Sequence, residues 1–344
     1  MAGRTFLLDI GAAAGSDPQD VDLRRIDRPI DAILLSHQHP DHIGSLVSWD
    51  LLGRPPVFAT PGVARTVAAR FGIECATLAM RGRSEVGGVA VTTGANGHSP
   101  GGVWLHLHGA DARLLYMGDH STESLLFPLD APPPAETLIL DASYGVDDVV
   151  QEERRAAILG LLKEGRVLLP APAAGRGVEF LLFIVEAGLP APAICEKTRR
   201  QVVALIEDRD VVLRPGIAER LARALEAAVP IVRAPVRTVI LGDPYLEDAA
   251  SQELAAAWTA AGAPILLTGH VAKGTPAHRL REKGAAGWSR WNVHPTLSQN
   301  VALAKEVGAR RVMPAFGDLR HAERWHAAFA GLEVMLSDGE LALS

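Results

Sequence analysis

A chain of 344 residues, 48% hydrophobic and 22% charged, has apolar material for two domains or one large one and carries no polar or repetitive tract that would leave it disordered. No apolar run approaches the roughly 20 residues that cross a bilayer, and Met1-Ala2-Gly3-Arg4 leads straight into strand-like Thr5-Phe6-Leu7-Leu8 rather than a signal-peptide core, so a cytoplasmic protein without membrane contact is expected. The net charge of −6 argues against a generally basic nucleic-acid-binding surface, though not against a local basic groove, and Cys75 and Cys195 stand far apart in no paired motif, which excludes a disulfide framework or thiolate metal site as the organising chemistry.

In chain order, short apolar β-rich runs ending in polar or Gly-containing turns predict strands over 5–10, 32–36, 57–60, 89–93, 103–107, 114–117 and 137–140. From about Gln151 helix-period segments over 152–162, 178–187, 217–228 and 249–260 alternate with buried strands at 167–169, 239–241 and 265–267, the pattern of an α/β unit with a parallel sheet. After Trp291 come a helix (297–307), a strand (311–314), a helix (321–330) and a strand (334–336). This tail is too small for a domain and is expected to complete the first one. The expected organisation is therefore residues 1–146 as a first part, 147–288 as an insertion and 289–344 as the completion. Pro-rich stretches around 131–134 and 189–192 are rigid surface turns.

The chemistry concentrates in His37-Gln38-His39-Pro40-Asp41-His42, directly after the second apolar strand. Side chains two apart on an extended chain project to the same side, so His37 and His39 converge. Asp41 and His42 follow Pro40, where the chain is expected to turn into a helix continuing through Ile43-Gly44-Ser45-Leu46-Val47, and they can face a second, adjacent metal. Zinc accepts imidazole nitrogen and carboxylate oxygen, and two metals about 3.5 to 4 Å apart can clamp both ends of a hydrolytic displacement. His98, in Asn96-Gly97-His98-Ser99-Pro100, and Asp119, in Tyr116-Met117-Gly118-Asp119, each sit at a strand end. Taken alone either is a turn cap or a solvated loop residue; beside the first motif both become candidate ligands.

His-x-His-x-Asp-His followed by His98 and Asp119 resembles the metallo-β-lactamase superfamily. Later segments resemble its β-CASP branch of nucleic-acid-processing enzymes, which includes ribonuclease J and the pre-mRNA cleavage endonuclease. The segments are Leu138-Ile139-Leu140-Asp141-Ala142-Ser143-Tyr144-Gly145, Pro170-Ala171-Pro172-Ala173-Ala174-Gly175-Arg176, and Trp291-Asn292-Val293-His294. The resemblance implies an α/β fold, an αββα sandwich with an inserted β-CASP-like domain. It implies one zinc on His37, His39, His98 and Asp119, and a second on Asp41, His42 and a bridging Asp119. A zinc-bound hydroxide would attack the phosphorus of RNA or DNA, and His294, oriented by Asp141, would protonate the leaving oxygen.

Two departures stand out. The family's final ligand precedes a Gly, and here Val312-Met313-Pro314-Ala315-Phe316-Gly317-Asp318 puts Phe316 at that position, which weakens the second metal unless Asp318, His321 or His120 stands in. Met1 also nearly abuts the first shared strand, where the family has a further strand pair, so a shorter sheet edge or an upstream start is expected. Gly175-Arg176-Gly177 before a helix can present N–H groups and a guanidinium to phosphate, making Arg176 a substrate-binding candidate; a tight turn with an exposed Arg is the alternative. Gly269-His270-Val271-Ala272-Lys273-Gly274-Thr275 lacks the Walker spacing, and Trp288 and Trp291 are first read as packing residues rather than base-stacking ones. The leading expectation is a zinc-dependent nuclease or phosphodiesterase. A small-molecule hydrolase on the same fold is favoured by the acidic charge, and a catalytically degenerate subunit with a protein partner or a second copy of itself is favoured by Phe316.

Overall fold

The computed structural model describes residues 3–11, 23, 26–109 and 112–336. The chain divides into two units, one of Met1–Asp148, Asp210–Val212 and His294–Ser344, the other of Val149–Arg209 and Leu213–Val293. Among the described residues no helix is long and apolar enough to cross a membrane.

The first unit opens with a parallel sheet of β1 (Phe6–Leu8), β2 (Ala32–Leu34), β3 (Val57–Ala59) and β4 (Ala76–Thr77), in that order. Between its strands run α1 (Pro40–Ile43) and α2 (Pro61–Phe71). A second sheet follows with β5 (Gly82–Val86), β6 (Val89–Ala95), β7 (Val103–His108), β8 (Arg113–Tyr116) and β9 (Thr137–Asp141).

The chain then builds the other unit from α3 (Gln151–Leu162), β10 (Leu168–Pro170), α4 (Arg176–Glu186), β11 (Ala193–Ile194), α5 (Glu196–Glu207), α6 (Ile217–Ala227), β12 (Val229–Pro230), β13 (Val239–Leu241), α7 (Ala249–Ala260), β14 (Leu266–Leu267), α8 (Pro276–Glu282) and β15 (Gly287–Trp288). Its strands are parallel, in the order β10-β13-β11-β12, with β14 paired to β15 and bridged to β10. Leu168, Val239, Leu254, Trp258 and Leu267 close its core. Trp291 belongs here, its indole lying 4.6 Å from the Phe180 ring and donating to Glu179, and the first unit resumes at His294.

On return, α9 (Leu297–Glu306), β16 (Arg311–Ala315), α10 (Ala322–Ala328) and β17 (Glu333–Val334) complete the second sheet, whose order is β17-β16-β9-β8-β7-β6-β5. Period-two alternation then explains the layering. Ala32 and Leu34, Val103, Leu105 and Leu107, Leu114 and Tyr116, Ile139 and Met313 meet in one buried layer between the two sheets. The neighbours on the same strands point the other way: Ile33 toward Ile43, Leu46, Val63 and Val67 of the helical segments, and Leu115, Leu138 and Val312 toward Leu303 of α9 and Trp325 and Phe329 of α10 and its C-cap. The result is an αββα sandwich.

The helix expected beyond Ile43 is a different object. Only Pro40–Ile43 is α-helical; residues 44–52 are 3₁₀ turns broken at Ser48. Gly44, Ser45 and Ser48 favour local bonding over helix propagation, and the Ser45 N–H is taken by Ile10 O at 3.0 Å.

Candidate metal centre

The strands of the sandwich deliver the candidate ligands from their ends. His37 and His39 follow β2, His98 lies in the turn between β6 and β7, Asp119 follows β8, and Asp141 is the last residue of β9. One ligand atom from each of His37, His39, His98 and Asp119 lies within 4.8 Å of all the others. Asp41, His42 and Asp119 form a second such group, Asp119, Asp141 and His294 a third, and Asp9, His37 and His42 a fourth, so Asp119 belongs to three of the four found among the described residues.

The protonation pattern can be read outward from a residue that the sequence reading did not single out. Asp9 follows β1 at φ +62° and is buried. Its Oδ1 accepts from the Ser36 N–H at 2.6 Å, and its Oδ2 accepts from the Ser36 hydroxyl at 2.6 Å and the Tyr116 hydroxyl at 2.6 Å, with His42 Nδ1 at 2.7 Å. Since the Ser36 proton goes to Asp9, Ser36 Oγ is left to accept from His37 Nδ1 at 3.0 Å. His37 therefore turns a lone pair on Nε2 into the cluster. His42, between Asp9 at Nδ1 and Asp119 at Nε2, has its pKa raised well above the ordinary value by those two carboxylates despite its burial, so it ligates only by giving up its Nε2 proton. Ser36, Tyr116 and Asp9 were not candidates in the sequence; an acidic residue two before a Gly at a strand end, Asp9-Ile10-Gly11, was the available signal.

His37 Nε2 lies 3.1 Å from His39 Nδ1, which is also 3.0 Å from His98 Nε2. Asp119 Oδ2 is 3.4 Å from His98 Nε2 and 3.7 Å from His37 Nε2. Asp119 Oδ1 is buried without a hydrogen-bond donor aimed at it, although His42 Nε2 lies 3.1 Å away. Imidazole nitrogens crowded on one point beside an unsatisfied carboxylate oxygen are the arrangement a divalent cation satisfies, so the residues fit the metal. Burial pushes the pKa values of His37 and His39 down and keeps these rings neutral, as ligation requires. Burial alone would raise Asp119, but His42 and His294 outweigh it and hold the carboxyl well below its ordinary range.

His294 Nδ1 meets Asp141 Oδ2 at 2.8 Å, and its ring lies 4.9 Å from that of His98 and 5.0 Å from that of Tyr144. Burial lowers its pKa, but Asp141 and Asp119 more than compensate and place it at about 9. Asp141 is fixed in turn by the Ser143 N–H at 2.9 Å, and its main-chain oxygen accepts from Asn300 at 2.7 Å. The structure thus brings His294 and Asp141 to the cluster, a placement that nothing local to Trp291-Asn292-Val293-His294 would indicate.

Phe316 directly follows β16 at φ +64°, 48% exposed, with its ring 4.9 Å from that of His42. None of the three stand-ins joins a ligand group among the described residues. Asp318 pairs with Arg320 at 2.5 Å, and His321 packs against Trp325 and the Gly145 backbone. His120 is buried, burial holding its pKa at about 4. Arg176 lies in the second unit, where its Nη1 donates to Thr268 O at 2.9 Å.

Gly11 shows how closely the motif loop is held. A Cβ there would stand 1.7 Å from Asp41 O, and Ile10 N donates to His42 O at 2.7 Å. Gly11→Ala is expected to displace the Asp41-His42 segment at a cost of about 1–3 kcal/mol, as overpacking does. Thermal melts with and without chelator check this: the variant should melt lower and lose most of the chelator-sensitive part of its stability.

Comparison with known proteins agrees with this geometry. Residues 2–148 match the model of the metallo-beta-lactamase superfamily. Residues 2–148 thus carry a metallo-beta-lactamase domain, and the similarity to the relatives named next extends beyond it. It is 27% identical over 232 residues to ribonuclease TTHA0252 of Thermus thermophilus, covering 55% of this chain and 51% of that one. It is 27% identical over 224 residues to cleavage and polyadenylation specificity factor 73 of Drosophila melanogaster (54% and 32%), and 29% identical over 229 residues to endoribonuclease YSH1 of Yarrowia lipolytica (54% and 27%). The chain thus spans about half the length of the first relative and about a third or less of the other two.

Proposed function

We propose that this chain is a zinc-dependent phosphodiesterase that cleaves RNA or DNA in the cytoplasm, and that residues 147–288 form its β-CASP-like inserted domain. The observation that carries the reading is the convergence on Asp119 of a four-residue ligand group, a three-residue ligand group and the His294–Asp141 pair. Two relatives, a ribonuclease and an endoribonuclease, support the substrate class.

His37, His39, His98 and Asp119 would hold one zinc, and Asp41, His42 and Asp119 a second, weaker one. When bound, zinc activates water and polarises the phosphoryl oxygens. The protein's own groups handle the protons. Asp41, exposed at the edge of the cluster, accepts the proton of the attacking water. His294 is an imidazolium at neutral pH, its Nδ1 proton committed to Asp141, so Nε2 donates to the leaving oxygen. Arg176, with its guanidinium beside Gly269, is proposed to contact substrate phosphate.

Cleavage of labelled single-stranded RNA and DNA, run beside metal analysis of the purified protein, tests the reading. Cleavage should vanish with chelator and fall by about 10²–10⁴ in Asp41→Ala. Bound metal with neither polymer cleaved would replace the reading by a small-molecule hydrolase, which the net charge of −6 favours. Absence of metal would replace it by a degenerate partner-binding subunit.

A further inference from the structure

The second sheet of the first unit carries another His-x-His pair, away from the candidate metal centre. His106 and His108 stand on β7, whose six residues span about 17 Å, toward the end remote from His98. Being two apart they share one face of the strand, opposite to that of Leu105 and Leu107, which face the layer between the sheets. His106 is buried and His108 is exposed.

His106 Nδ1 lies 3.1 Å from His108 Nε2, with the ring centroids 4.5 Å apart and the ring planes at 85°. His37 and His39 of the candidate centre stand in nearly the same relation, at 3.1 Å, 4.6 Å and 81°. Two nitrogens bound to one ion in neighbouring positions are about 2.8–3.4 Å apart, given metal–nitrogen bonds of about 2.0–2.1 Å. Two imidazole nitrogens this close share either one proton or one ion.

His106 is also oriented as a ligand is. Its Nε2 lies 3.1 Å from the acceptor Pro134 O, so the ring proton sits there and Nδ1 turns a lone pair toward His108. Burial, with His108 beside it, pushes the His106 pKa down to about 4 and keeps the ring neutral. Thr92 Oγ1, on the β6 residue opposite His106, adds an oxygen 3.0 Å from His108 Nε2. Neighbouring charges limit the affinity. Arg113 is met by Glu136 at 2.6 Å, whereas Arg83, opposite Thr92 on β5, puts a positive charge on this face.

We propose that His106 Nδ1 and His108 Nε2 bind a divalent late first-row transition ion, copper(II) most tightly, with water in its remaining positions. Imidazole ligands suit copper, nickel and zinc rather than calcium or magnesium, and copper stands highest in the affinity order. The site is separate from the candidate centre and does not rest on the nuclease reading.

Copper(II) titration of the full-length, untagged chain, first loaded with zinc and freed of excess, tests it by calorimetry and electron paramagnetic resonance. The unmutated chain should take up one copper more than His108→Ala, and that copper should show coupling to two imidazole nitrogens. His108 is exposed, so the variant should keep the melting temperature and the retained zinc of the unmutated chain. Equal copper uptake by the two chains overturns the site, whichever groups then hold the ion. Copper that enters only as zinc leaves overturns it as well. Neither result bears on zinc-dependent cleavage, and a chain that cleaves no nucleic acid but shows the His108-dependent copper leaves this site standing.

Discussion

Asp9→Ala is expected to destabilise the protein by about 3–5 kcal/mol, the range for breaking a buried charged network. The variant strands the Ser36 N–H, the Ser36 and Tyr116 hydroxyls and His42 Nδ1 in the interior without their acceptor. Each unsatisfied group costs about 1–3 kcal/mol before relaxation. The second consequence is chemical. Without Asp9 the Ser36 hydroxyl is free to donate to His37 Nδ1, which would move the imidazole proton to the nitrogen that faces the cluster, and His42 loses the bond that fixes its ring. Losing partners of this kind costs about 10–100-fold in metal affinity. Chelator competition reads that loss separately from the fall in melting temperature. A variant that melts lower but keeps full metal affinity would show that Asp9 only supports the fold.

Phe316→His should raise the metal that survives gel filtration from about one to about two per chain, four protein ligands or three plus an open position being what zinc needs. Asp41, His42 and Asp119 already supply three donors within 4.8 Å of one another, and the Phe316 ring lies 4.9 Å from that of His42. The backbone is suited to the exchange. A left-handed residue without special reason costs about 1–2 kcal/mol, yet at φ +64° the loop carries an aromatic side chain that is 48% exposed and so gains little by burial. Phe316→Asn, which tolerates this conformation better, should raise the melting temperature by a few degrees without adding metal. Elemental analysis giving about one metal in both variants would remove position 316 from the site.

The four-ligand group was legible in the sequence because its logic is local. His37 and His39 share a strand face, and each other ligand ends a strand whose apolar alternation marks it. The strands that carry the site were legible for the same reason. Asp9 was not, because its partners come from 27, 33 and 107 residues away and meet it only once β1 pairs with β2. The edge strand β5, Gly-Arg-Ser-Glu-Val, hides because it is mostly solvated and offers no apolar alternation. Helices α2 and α5 escaped because each buries few side chains, although Pro61 after Thr60 is a start signal. His294 beside Asp141 was available only through the family resemblance, since the second unit's 142 intervening crossing residues leave no local trace of it.

The strand order of the second sheet has a consequence for how the protein is made. β16 and β17 are added outside β9, after the entire second unit has been synthesised. Everything from His37 to Asp119 leaves the ribosome more than 170 residues ahead of His294. Pairings this distant in sequence are the slow ones, because closing the loop precedes its reward. The candidate ligand cluster can therefore assemble on a nascent chain that still lacks His294, and β9 is an open sheet edge until the last tenth of the chain arrives to cover it.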